Sequence, residues 1–224
     1  MDDIERLHRM FREEVTTACW AFFVWKGINN SAFDDQQIYD SLNENALSWN
    51  TILHSLQTTS FVMLGRLFDV DNNAFSIHAL LKACILNIDQ FSIESLRERK
   101  VRDLAGKLPE WLDGYLAEAY VPREKDFQLL RGETSKYQRE YETVYRPIRN
   151  KVIAHKDRQA IDIIDKLFEK TGIEHIQQLL MFTYQIERVV FELLHNGKLT
   201  KIGDHYFDEE DYVQKDVVAL LQRI

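Results

Sequence analysis

The feature that most limits what this chain can fold into is its shortage of helix breakers. Three prolines and 8 glycines are spread through 224 residues. The tracts between them are rich in Leu, Ile, Glu, Lys and Gln, which lose little side-chain freedom in a helix. A sandwich or barrel of short strands needs turn residues every 8–12 positions or so, and this chain does not supply them. The fold class expected is therefore all-α. With 45% hydrophobic residues, the length suits a single domain over 1–224 with a sizeable core. No repeat, low-complexity segment or linker divides it.

Helical spacing and caps suggest the elements. Ile4, Leu7, Met10, Phe11, Ala18, Phe22 and Trp25 lie on one face of a helix over 3–26, with Gly27 as its stop and "GINNSAF" as a loop. A second helical tract runs over about 34–68, interrupted near Asn43 to Asn45, and "DVDNNAF" closes it as a turn. Ser76 is placed to cap a helix through "IHALLKACIL", and Ser92 with Glu94 to open the next one. Pro109 suits the first turn of a short helix in "PEWLDGYLAEAY". A long helix is expected from about Arg123 to Asp157, then a short one over Asp162 to Lys170. Thr171 with Glu174 forms a capping box for a helix that Gly197 stops, and a last helix follows in "DEEDYVQKDVVALLQRI".

Charge and cysteine usage narrow the function classes. The formal net charge of −8 argues against coating nucleic acid indiscriminately, since phosphate contacts need Lys and Arg. Val144 to Arg158 is the exception: five basic residues (Arg146, Arg149, Lys151, Lys156, Arg158) stand against one acid, Asp157. Asp204 to Asp216 has six acids against Lys215 and reads as a solvated face. Cys19 and Cys84 lie apart in apolar contexts without metal-ligand spacing, which fits a reducing cytoplasm. The apolar run Val15 to Trp25 is too short to span a bilayer and lacks the basic flank of a signal peptide, so it is expected to be buried core rather than a membrane segment.

The unusual stretch is "YRPIRNKVIAHKD", residues 145 to 157. On a helical wheel, Tyr137, Tyr141, Val144, Tyr145, Ile148, Val152 and His155 fall within roughly 100° of one another. Arg149 lies about 120° from His155, and Arg146, Asn150 and Asp157 occupy the far side. Pro147 removes a backbone donor, so a kink or fresh start is expected just before the motif. Histidine titrates near neutrality, and arginine is a permanent planar phosphate binder. Together they suit phosphodiester cleavage without a metal or cofactor: the imidazole moves a proton while the guanidinium stabilises charge at phosphorus. His175 and His195 sit on a long helix without a carboxylate at metal-ligand spacing, His54 and His78 are isolated, and no metal is assigned.

The string "RNKVIAH" resembles the signature of the HEPN superfamily (higher eukaryotes and prokaryotes nucleotide-binding), an Arg and a polar residue followed by a His. Here these are Arg149, Asn150 and His155. The longer "RNKVIAHKD" and "LGRLFDVDNNAFSIHALL" (Leu64 to Leu81) are similar to the AbiU-type abortive-infection branch. The resemblance covers about residues 40–195, with the signature region over about 123–195. It implies a HEPN-type bundle of long antiparallel helices with additional terminal helices. It also implies a homodimer in which Arg149 and His155 of both subunits share a cleft. Many members are metal-independent endoribonucleases that act as toxins or in antiviral defence and are held silent by an antitoxin or regulatory partner. On that reading His155 is the acid/base, Arg149 stabilises the transition state, and Asn150, Lys151, Arg146 and Asp157 bind phosphate or position the site. Other members are catalytically silent modules that bind a nucleotide or a partner protein. A third reading keeps His155 buried within one subunit.

Overall fold

The computed structural model describes residues 3–71, 74–106, 108–148 and 172–223. Every regular element among them is helical, as the scarcity of breakers requires. The elements are α1 (Asp3–Asp34), α2 (Gln36–Glu44), α3 (Ala46–Leu67), α4 (Ile77–Leu86), α5 (Ile93–Asp103), α6 (Leu112–Ala117), α7 (Glu124–Glu140), α8 (Arg146–Ile148), α9 (Ile173–Phe191) and α10 (Glu210–Leu221). A 3₁₀ turn, Ile88–Phe91, precedes α5, and π-helical turns Tyr141–Tyr145 and Glu192–Asn196 follow α7 and α9. No helix among the described residues is long and apolar enough to cross a membrane.

Caps set the boundaries as their chemistry dictates. The Ser76 hydroxyl accepts from the Ala79 amide at 3.4 Å and that of Ser92 from Ser95 at 3.2 Å. Each satisfies one of the orphan donors of a first turn. Asn45 divides α2 from α3. Gly197 ends the π turn after α9 in the left-handed region, with φ of 55°. Pro109 stands one turn ahead of α6 rather than in it, its carbonyl accepting from the Leu112 amide at 3.1 Å.

Gly27 is not a stop, and "GINNSAF" is helical: α1 continues to Asp34. The buried face persists past the glycine through Ile28, which packs with Ile38, Leu42, Val217 and Leu221. A Cβ at position 27 would lie 3.1 Å from Gln214 Oε1 and 3.4 Å from Val217 Cγ1. The glycine therefore serves close approach of α10, and the burial of neighbouring apolar side chains outweighs its low helix propensity of about 1 kcal/mol. The expected helix over Asp162 to Lys170 and the cap at Thr171 lie outside the described residues.

The chain forms two compact units interleaved in sequence. One comprises Met1–Glu13, Leu67–Arg139 and Phe182–Tyr206. Phe68 and Tyr137 stack on Phe182 in it, and Leu96, Leu112 and Leu116 make a satellite core. The other comprises Glu14–Arg66, Glu140–Met181 and Phe207–Ile224. In it Val15, Ala18, Cys19, Phe22 and Phe23 are buried as expected, and Phe23 stacks on Phe207 at 5.1 Å. Trp20 is half exposed and donates its indole N–H to Glu209. The acidic tail is thus partly engaged, with Glu210 also 3.2 Å from Lys26.

Candidate active site

The helix that leads into "RNKVIAH" is described as far as Ile148. Its buried face is built by Tyr141, Tyr145 and Ile148, while Tyr137 and Val144 are half-buried. The apolar stripe expected on the wheel is therefore present up to the threshold of the motif. Tyr145 packs near Phe61, ring centroids 6.1 Å apart. Burial, and then the charge of Glu140, raise the proton affinity of its hydroxyl above that of an ordinary tyrosine. That hydroxyl has no hydrogen-bond partner among the described residues.

Arg146 lies on the opposite side, with its side chain 53% exposed and 3.8 Å from Glu142 one turn back. A pair this exposed contributes little to stability, about 0–1 kcal/mol, which leaves the guanidinium available to an anionic ligand. The break expected from Pro147 takes a specific form. The Arg146 amide bonds to the Tyr141 carbonyl, five residues back, in the π-helical turn over Tyr141–Tyr145. Proline has no amide to continue the ladder, and its ring crowds the carbonyl four residues earlier. A π turn relieves that crowding, and such turns are frequent at functional sites.

Arg149, Asn150, Lys151, His155 and Asp157 lie outside the described residues, as do Val152 and Ala154. Of the six expected site residues, Arg146 is thus the one with a described environment. Among the described residues no group of three or more His, Cys, Asp or Glu side chains could hold a metal ion.

The first unit contains a buried ionic cluster that the sequence did not reveal. His8 Nε2 lies 3.0 Å from Glu187 Oε1, both side chains almost fully buried. Arg12 approaches the same carboxylate at 4.0 Å and covers the Phe191 ring. Arg99, 2% exposed, donates through Nε to the Leu194 carbonyl and through Nη2 to that of Gln90. Glu5 accepts both bonds of a fork from Arg102 Nη2, at 2.9 and 2.8 Å, and lies 4.0 Å from Arg99. The His195 ring stands 5.9 Å from that of His8. Burial, then the charges of His8 and Arg99, push its pKa down to about 4, so it is neutral at pH 7. Glu5, His8, Arg99 and Glu187 are buried and pair with one another or with carbonyls, while Arg12 and Arg102 close the cluster from the surface, which is the behaviour of a structural network rather than of a substrate-accessible site. Glu5 and His8 fall on the buried face of α1 beside Ile4 and Phe11, a weak signal that charge at a core position has a partner elsewhere in the chain.

A HEPN family model, AbiU2, matches residues 1–214. No curated protein and no solved structure matches the chain.

Proposed function

The chain belongs to the AbiU2 family of HEPN modules, related to abortive infection, and from that premise we propose that it is a metal-independent endoribonuclease, cytoplasmic and dimeric, acting in antiviral defence. The observation that carries the reading is that the family match runs through the string holding Arg149, Asn150 and His155. The π turn immediately upstream and the exposed Arg146 support it.

In the proposed reaction the ribose 2′-oxygen attacks phosphorus while the bond from phosphorus to the 5′-oxygen breaks. The products are a 2′,3′-cyclic phosphate and a 5′-hydroxyl end. His155 handles the proton that leaves the 2′-hydroxyl or the one that the 5′-oxygen must gain. Two copies across a dimer seam would supply one imidazole for each transfer. Arg149 stabilises the charge that develops on the non-bridging oxygens. Asn150 orients one of these groups or the phosphate, and Lys151 and Arg146 hold the flanking backbone by charge. Asp157 orients a basic side chain. The test is cleavage of RNA in EDTA by the parent and by the His155→Ala and Arg149→Ala variants.

The net charge of −8 favours a second reading, a silent module holding a nucleotide or a regulatory protein. That reading predicts no cleavage and no growth arrest on expression, with saturable ligand binding weakened in Arg149→Ala.

A further inference from the structure

The first unit carries a concave site of about 370 Å³ made by residues outside the signature string. Its walls include Asp71 from the segment after α3, His78 and Lys82 from α4, and Arg131 from α7. His78 and Lys82 are one helical turn apart and so share a face. Most basic side chains of this unit with a described partner are committed to acids: Arg97 to Asp113, Arg102 to Glu5, Lys136 to Glu133 and Arg188 to Glu192. Lys82 and Arg131 are exposed and make no ion pair among the described residues. Against Asp71 these two cations leave the cavity an excess of one positive charge, within a chain whose balance is −8. Two cations against one carboxylate at a concavity leave a net positive potential focused there.

His78 is a fixed part of the wall. Gln138 donates its Nε2 to the Phe68 carbonyl at 3.1 Å, which turns its Oε1 toward His78 Nε2, 3.0 Å away. An amide oxygen only accepts, so Nε2 carries the proton and Nδ1 is the nitrogen left over. The α4 backbone beneath is anchored by the buried Ser76 cap. Two cations suit the oxygens of a phosphate, and the Asp71 carboxylate suits a hydroxyl donor such as those of ribose. The volume falls within the range of small-molecule sites, about 300–1,000 Å³, and exceeds what a bare phosphate occupies.

We propose that the cavity between α4 and α7 binds the phosphate group of a ribonucleotide, with Lys82 and Arg131 as its charged contacts. This goes beyond the cleavage reading and does not depend on it: the chain engages phosphate here whether or not Arg149 and His155 cut RNA. A free nucleotide and a nucleotide within a strand present the same chemistry, and the test separates them.

Binding is measured on the full chain in EDTA at low salt, in a His155→Ala background so that RNA stays intact. The probes are adenosine and guanosine monophosphates by calorimetry and a labelled single-stranded RNA by anisotropy. Lys82→Gln with Arg131→Gln is expected to weaken whichever probe binds by at least about tenfold, the scale of one lost charge-assisted contact. If RNA is that probe, the slope of log affinity against log salt is expected to fall by about 1.4, at roughly 0.7 per phosphate contact. Loss confined to the monophosphates identifies a free nucleotide, and loss confined to RNA identifies the strand. Both side chains are exposed, so the double variant is expected to unfold at the parent's temperature. The inference is overturned if the folded double variant binds both probes as tightly as its parent, or if the parent binds neither. Cleavage by the histidine-containing parent is scored separately, so loss of the catalytic reading leaves this result standing.

Discussion

Replacing Gly197 by alanine tests whether the helix end at the close of α9 is built as described. The residue has φ of 55°, and its carbonyl accepts from the Tyr120 amide at 2.7 Å. An alanine Cβ would stand 2.7 Å from Leu96 Cδ2 and 2.8 Å from Ala119 Cβ. The left-handed conformation costs a residue with a Cβ about 1–2 kcal/mol. The Leu96 methyl can rotate away, but Ala119 is held by the backbone bond beside it. Overpacking of this kind adds about 1–3 kcal/mol. Gly197→Ala is therefore expected to lose about 2–5 kcal/mol, a fall in melting temperature of roughly 5–15 °C for a chain of this size. Gly132 supplies the opposite case. It is exposed within α7, with open space where a Cβ would go. Gly132→Ala is expected to gain about 0.5–1 kcal/mol from helix propensity alone. Urea unfolding followed by circular dichroism reads both. A Gly197→Ala variant within about 0.5 kcal/mol of the parent, or a shift of the same sign in both variants, would show that position 197 tolerates a side chain and that the left-handed turn is not as described.

The buried cluster makes stability depend on acid. His195 takes a proton in the folded chain only near pH 4, against about 6.5 when unfolded. The unfolded state then binds more protons between those values, so stability is full above about pH 7.5 and falls as pH drops through 6.5 toward 4. Between pH 7.5 and 5.0 the parent is expected to lose about 1 kcal/mol more than His195→Gln, after discounting for a ring that is only partly buried; equal losses would contradict this origin. Tyr145→Phe removes a buried hydroxyl that lacks a partner among the described residues. It is expected to leave stability unchanged or raise it by about 1 kcal/mol, and a clear loss in the same denaturation assay would show that the hydroxyl is satisfied.

Local signals in the sequence were sufficient where local chemistry decides the outcome. Ser76 and Ser92 satisfy amides within one turn of themselves, Asn45 breaks a tract, and Gly197 adopts a conformation that few other residues accept. The stripe through Tyr141, Tyr145 and Ile148 was legible because helical periodicity and burial coincide there. Gly27 misled because its role is set by Gln214 and Val217, nearly two hundred residues away in sequence. The pairing of Glu5 with Arg99 and of His8 with Glu187 was hidden for the same reason. Pro147 announced a disturbance, but the choice of a π turn rests on how its ring meets the preceding carbonyls. Arg146 lies on the exposed side of the helix, away from the tyrosines, because the wheel turns it there.

The proposed chemistry is metal-independent RNA cleavage by Arg149 and His155. Its most direct test is incubation of RNA with the purified protein in EDTA, with product ends analysed for a 2′,3′-cyclic phosphate. The parent is expected to produce such ends, and His155→Ala and Arg149→Ala are each expected to lower the rate by at least about a hundredfold. RNA left intact by the parent, or cut equally by all three proteins, would contradict it.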